Sequence, residues 1–122
     1  MLLCFAVNKC AVSPTGDKLY IISWSQHKVL TLARDGTLLA TYKDPELVRP
    51  DGLHVTPAGQ VLVCGGSSHT IVQVDSQGKS KLATLATWWD VVWRPLSVCY
   101  SSTTFCIIVG QQWNDIMVFR VE

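Results

Sequence analysis

The sequence predicts an all-β fold, a partial β-propeller of about three four-stranded antiparallel blades that does not form a closed ring. Three observations predict it. Short apolar runs alternate with turn residues along the chain, a turn motif recurs after 43 positions, and the 122 residues hold fewer than three such repeats. Closed propellers use about four to eight blades, so the ring is incomplete.

The repeat is clearest at the first turn of each unit. The tetrapeptide "SPTG" at 13–16 returns as "TPAG" at 56–59, and further along His27 overlies His69. A third, more degraded copy starts at "RPLSVCY", which aligns with "RPDGLHV", and its first turn has lost both proline and glycine. The recurrence favours a propeller over a sandwich or barrel, because those folds do not require turn residues at a fixed period.

Each unit reads as strands joined by turns of hairpin length. In the second unit the strands are "GLHVT", "VLVCG", "TIVQVD" and "SKLATLA". Proline pre-sets the first turn, and glycine supplies the positive φ that such turns require. No segment shows a convincing helical period, which supports the all-β prediction.

We expect one partial propeller domain over 1–122, with units at about 8–43, 51–87 and 94–122. Residues 1–7, with the apolar run Leu2–Val7, would form a strand of a preceding or incomplete blade. Because each repeat buries its core only against its neighbours, an open arc leaves its end faces uncovered. Either missing N-terminal blades or self-association would cover them.

Composition excludes several classes of function. The net charge is +1, with ten basic and nine acidic residues spread along the chain, so no basic footprint for DNA is present. The start lacks the basic region of a signal peptide, and no apolar run reaches the ~18 residues of a membrane span. The five cysteines include no Cys-x-x-Cys pair, which indicates reduced thiols in the cytoplasm.

The second unit resembles the NHL repeat. The shared pattern is Pro-x-Gly with a following apolar residue at 50–53, Val55, Gly59, Ile71, Val74 and Gly78, with Val-Asp at 74–75 where the family has a Val-Phe pair. The family has Asn and a basic residue where this chain has His69 and Thr70. The likeness covers nearly the whole chain. Within the NHL family, the sequence most resembles the C-terminal end of the propellers of tripartite-motif ubiquitin ligases and their invertebrate relatives.

This resemblance implies a non-catalytic recognition platform for protein or RNA. Ubiquitin-ligase activity would need a RING domain, which this sequence does not contain, so we expect no enzyme and no cofactor. The family's partners lead us to expect a protein ligand, with single-stranded RNA as the alternative.

A second resemblance keeps an enzymatic function as an alternative. The Pro-Asp-Gly context of Asp51 is similar to calcium-dependent lactonase-like propellers, and Asn8 occupies the corresponding place in the first unit. One or two oxygen ligands fall short of the six to eight that calcium takes. The three histidines, His27, His54 and His69, are not spaced as a metal-ligand set either, so we predict no metal site.

The candidate recognition residues lie in the loops between blades. Both "YKDPELVRPDG" and "TWWDVVWRPLS" place an Asp before Arg-Pro, and in a propeller these loops share one face with the turns between second and third strands. Trp and Arg are enriched at binding hot spots and also hold single-stranded RNA. Packing of the tryptophans between blades is the alternative. The predicted binding residues are Trp24, His27, Asp44, Arg49, His69, Trp88, Trp89, Asp90, Trp93, Arg94, Trp113 and Asn114.

Overall fold

A computed structural model describes residues 7–121 as three antiparallel sheets. The first contains β1 (Lys9–Val12), β2 (Lys18–Ser23), β3 (Lys28–Ala33) and β4 (Leu38–Tyr42). The second contains β5 (Pro50–Val55), β6 (Val61–Gly65), β7 (Thr70–Val74) and β8 (Lys81–Ala86). The third contains β9 (Pro95–Ser101), β10 (Cys106–Gln111) and β11 (Ile116–Arg120).

The predicted fold class is confirmed. Strands follow one another in sequence order within each sheet, and the three sheets form successive blades that do not close a ring. In the described residues the third blade has three strands. Of the segment Leu2–Val7 that we assigned to a preceding or incomplete blade, residues 2–6 lie outside the described range. No helix in residues 7–121 is long and apolar enough to cross a membrane.

The recurring Pro-x-Gly motif forms the turn between the first and second strands of a blade. Gly16 and Gly59 have φ values of 77° and 89°, the left-handed region that glycine adopts without a steric cost. Their N–H groups donate to Ser13 O at 2.9 Å and Thr56 O at 2.8 Å. In the third blade Phe105 takes a positive φ of 55° in the corresponding turn. The motif is therefore structural.

The core consists of two apolar layers, one at each junction between blades. Alternate residues of a strand point to opposite sheet faces, and the middle blade is covered on both sides, so all of β6 is buried. The first layer contains Tyr20, Ile22 and Val29 against Val61, Val63, Val72 and Val74. The second contains Leu62, Cys64 and Ile71 against Val98, Ile107 and Val109.

The first strands of the blades approach one another closely. A β-carbon on Gly52 of β5 would lie 2.4 Å from the Leu96 carbonyl oxygen and 2.9 Å from Ser97 Cα in β9. Both are backbone atoms of the next blade. Glycine at this position lets the two inner strands pack main chain against main chain, which sets where the loops between blades begin.

Candidate binding face

The loops between blades and the turns between second and third strands lie at the same end of the sheets. The loop at 43–49 is hydrogen-bonded to the turn of the first blade, and the loop at 87–94 to the turn of the second. We call this end the loop face: the two loops, the turns at 24–27 and 66–69, and the third-blade turn at 112–115.

The same histidine contact joins each loop to the turn before it. His27 Nδ1 accepts the backbone N–H of Arg49 at 2.9 Å, and His69 Nδ1 accepts that of Arg94, also at 2.9 Å. Both histidines have left-handed backbone conformations, with φ of 51° and 56°. Because Nδ1 accepts, the proton of each neutral ring is on Nε2.

The two arginines are held through their main chains. Arg49 and Arg94 have φ values of 53° and 44°, a conformation that costs free energy for any residue with a side chain. The carbonyl oxygen of Arg49 accepts from Gly66 N at 2.9 Å, and that of Arg94 from Gln112 N at 3.2 Å. With both backbone polar groups bonded, each Arg-Pro pair enters the next blade in a defined position.

All five tryptophans of the sequence lie on the loop face and are exposed. Their exposed fractions range from 45% for Trp93 to 86% for Trp89. Trp24, Trp88, Trp89 and Trp113 belong to three short 3-10 helices. These tryptophans therefore do not fill the space between blades, which was the structural alternative for them.

Several indole rings make defined contacts with neighbouring side chains. The Arg49 guanidinium carbon lies 4.9 Å from the centroid of the Trp24 ring, within cation–π range. The His69 ring stacks on Trp93, with centroids 4.2 Å apart and planes 8° apart. These contacts hold the rings in place while leaving a large part of each exposed.

The loop carrying Trp88 and Trp89 is braced at both ends. Asp90 Oδ2 accepts the Thr87 N–H at 2.9 Å, and Thr87 Oγ1 accepts the Trp89 N–H at 3.2 Å, which together form a capping box. At the other end Val92 is fully buried. Asp90, predicted as a binding residue, thus uses its carboxylate to cap this short helix.

Asp44 has a similar structural role in the first loop. Its carboxylate accepts the Tyr42 hydroxyl at 2.5 Å and the Glu46 N–H at 2.8 Å, and it lies 3.1 Å from Lys81 Nζ. Burial acts against ionisation of Asp44, but these partners outweigh it and hold the pKa of its carboxyl below the usual value. Lys81 also pairs with Glu46, so the loop is tied to β8.

The oxygen ligands proposed for a lactonase-like calcium site are engaged elsewhere. The buried Asp51 has Oδ1 3.8 Å from Arg49 Nε, and Asn8 Oδ1 accepts the Trp24 N–H at 2.6 Å. Burial raises the pKa of Asp51, while Arg49 and Arg94 act in the opposite direction. Within residues 7–121 no three His, Cys, Asp or Glu side chains form a group suited to a metal ion.

Two positioning residues had no signal in the sequence. Gln111 is buried, and its Oε1 accepts the Trp93 N–H at 2.8 Å. Lys81 reaches the first loop from the middle blade. For Trp113, which has a φ of 70°, the structure shows an exposed ring; the side chain of Asn114 lies outside the described part.

Comparison with known proteins addresses the fold. No family model and no curated protein matches the chain. Solved structures match in 324 cases, among them hydrazine synthase of Kuenenia stuttgartiensis, with a TM-score of 0.79 and 24% identity over 94% of this chain. The likeness shows a propeller-like fold. This chain spans 32% of the length of that hydrazine synthase chain.

Proposed function

We propose that the chain is a non-catalytic binding module that recognises a protein partner through the loop face. The observation that carries the proposal is the exposure of all five tryptophans at one end of the blades. Large exposed apolar patches mark interaction sites, and Trp with Arg is the composition of hot spots. Arg49 and Arg94 supply the charged neighbours.

The rigidity of the loop face supports this proposal. The histidine contacts, the capping box and the buried Val92 hold the loops before a ligand arrives. A surface that is already ordered loses less conformational entropy on binding, so more of the contact free energy appears as affinity.

We also propose that the blades are of the NHL type and that the protein acts in the cytoplasm, like the tripartite-motif relatives. The pattern that the second blade shares with the family, Pro-x-Gly at 50–52, Gly59, Ile71 and Gly78, supports the kinship.

Single-stranded RNA is the second candidate ligand. The placement of Arg49 over the Trp24 ring, 4.9 Å from its centroid, favours it, because bases stack on exposed aromatics beside basic groups. The small net charge of +1 weighs against it, since phosphate contacts supply much of nucleic-acid affinity.

Replacement of Trp89 by alanine should reduce recovery of the protein partner at least tenfold. Truncating a hot-spot tryptophan costs about 2 kcal/mol or more, and about 1.4 kcal/mol is tenfold in affinity. The measurement is a pull-down quantified by mass spectrometry with the wild type, Trp89→Ala and Arg94→Ala as baits. Leu39→Ala, at an exposed apolar residue near the opposite end of the sheets, is the control.

Equal recovery by the wild type and Trp89→Ala, with unchanged circular dichroism, would show that the loop face is not the binding surface. All the tryptophans lie there, so intrinsic fluorescence reports binding directly. If oligouridine quenches it with an affinity that falls steeply with salt, the face binds RNA.

A further inference from the structure

The loop at 87–94 contains a residue in a strained conformation. Val91 has a φ of 68°, in the left-handed region, where the side chain of an L-residue crowds its own backbone. A β-branched residue is especially unfavourable there. Among the non-glycine residues of positive φ in residues 7–121, Val91 is the only β-branched one. Valine at this position therefore costs free energy that glycine or asparagine would not.

The backbone of the loop requires the left-handed conformation but does not require valine. Val91 follows the 3-10 helix Trp88–Asp90, and its N–H donates to Trp88 O at 3.0 Å. The Val92 N–H donates to Thr87 O at 3.3 Å, and Val92 is fully buried. Helix ends of this kind favour glycine or asparagine at the left-handed position. The fold thus accounts for the conformation of residue 91 and leaves its side chain unexplained.

Packing within the chain does not offset the strain. The Val91 side chain is 70% exposed and belongs to neither apolar layer of the core. Trp89 is 86% exposed and Trp88 is 57% exposed. We call these three side chains the loop tip. Strained residues cluster at binding and active sites, where the strain is part of the function, so the tip has the character of a binding element.

The charge of the loop favours a protein over a lipid bilayer as the surface that the tip enters. Asp90 lies between Trp89 and Val91, is exposed, and is held in the loop by the capping box. Insertion of the tip into lipid would carry this carboxylate toward the hydrocarbon, where a charge is costly. In protein interfaces, apolar anchors that fill a pocket and are surrounded by a polar rim are the usual hot spots.

We propose that Val91 and Trp89 enter an apolar pocket on the protein partner, and that the contact of Val91 with this pocket explains valine at a strained position. The proposal rests on the proposed function and adds the chemistry of the partner's surface, a concave apolar site with a polar rim. Because the capping box and the buried Val92 hold the loop before binding, the tip loses little conformational entropy when it is bound.

The variant Val91→Asn tests the proposal, because it should change stability and binding in opposite directions. Asparagine adopts the left-handed conformation more readily, so we expect chemical denaturation to give an equilibrium constant for folding about fivefold higher. Partner recovery in the quantitative pull-down should fall at least fivefold, because a polar amide would enter an apolar pocket. Val91→Ile keeps an apolar β-branched side chain and is the matched control. It should bind within a few-fold of the wild type and gain no stability.

Comparison with Trp89→Ala separates this proposal from the proposed function. If Trp89→Ala loses the partner and Val91→Asn retains it, the loop face binds without Val91 and this proposal alone is overturned. If both variants retain the partner, the proposed function fails as well. A Val91→Asn variant less stable than the wild type would also overturn the proposal, since valine would then not be strained.

Vesicles of phosphatidylcholine and phosphatidylserine are the probe for the alternative surface. We expect them to leave the tryptophan fluorescence of the wild type unchanged. A blue shift that Val91→Asn abolishes would show that the tip enters lipid and would overturn the assignment to a protein pocket.

Discussion

Lowering the pH from about 7.5 to about 5.5 is expected to weaken partner binding by the loop face by up to about tenfold, because His69 sits at the base of this face. Its Nδ1 accepts the Arg94 N–H at 2.9 Å. A protonated imidazole donates from both nitrogens, so two N–H groups would oppose each other and the loop would be released. His27 makes the same contact with Arg49.

The direction of the pH effect follows from the pKa of His69. Burial lowers this pKa below its ordinary value, and the charge of Arg94 lowers it further. The folded state therefore binds a proton less readily than the unfolded state. The contribution of His69 to stability is complete above about pH 6.5, the usual histidine value, and is lost as the pH falls below it toward the lowered pKa.

His69→Asn is the control that isolates this histidine. Asparagine keeps an acceptor on Cγ and tolerates the φ of 56°, but it does not titrate. We expect this variant to bind within a few-fold of the wild type at neutral pH and to respond less to pH than the wild type does. Asp51, whose pKa is raised, is present in both proteins and cancels in the comparison. Binding titrations that gave the same pH profile for both proteins would contradict the proposed role of His69.

Gly52→Ala is expected to lower the free energy of unfolding by about 2–3 kcal/mol, the cost of overpacking a close contact. The added Cβ would lie 2.4 Å from the Leu96 carbonyl oxygen. That atom belongs to the backbone of β9 and can move only if the strand moves. The change would therefore disturb the junction between the second and third blades.

Gly110→Ala provides the matched comparison. The atom nearest to its new Cβ is Ser97 Oγ, at 2.5 Å, the end of a side chain that can rotate away. We expect a change within about 0.5 kcal/mol, typical of a substitution without a core or backbone conflict. Chemical denaturation of both variants measures the difference. Equal midpoints for Gly52→Ala and the wild type would show that the inner strands accommodate a side chain.

The candidate site could be predicted only in part. The Arg-Pro loops and the turn histidines recur in the sequence, so their equivalence in the two units could be predicted. The hydrogen bond from Arg94 N to His69 could not be predicted, because it requires a positive φ at Arg94, and the ring of the following proline disfavours that conformation. Asp44 illustrates the same limit: its partner Lys81 lies in the next blade, and no local pattern pairs the two.

Strands, turns and blade period were determined by the sequence alone, since proline, glycine and the alternation of apolar residues act on the backbone within a few positions. Only the tertiary structure decided which junction between blades each buried residue enters. The run "VLVCG" of β6 is apolar throughout, and only packing between two blades assigns Val63 to one junction and Cys64 to the other. The exposure of the tryptophans was also decided by the tertiary structure, because burial of a side chain depends on neighbours contributed by other blades.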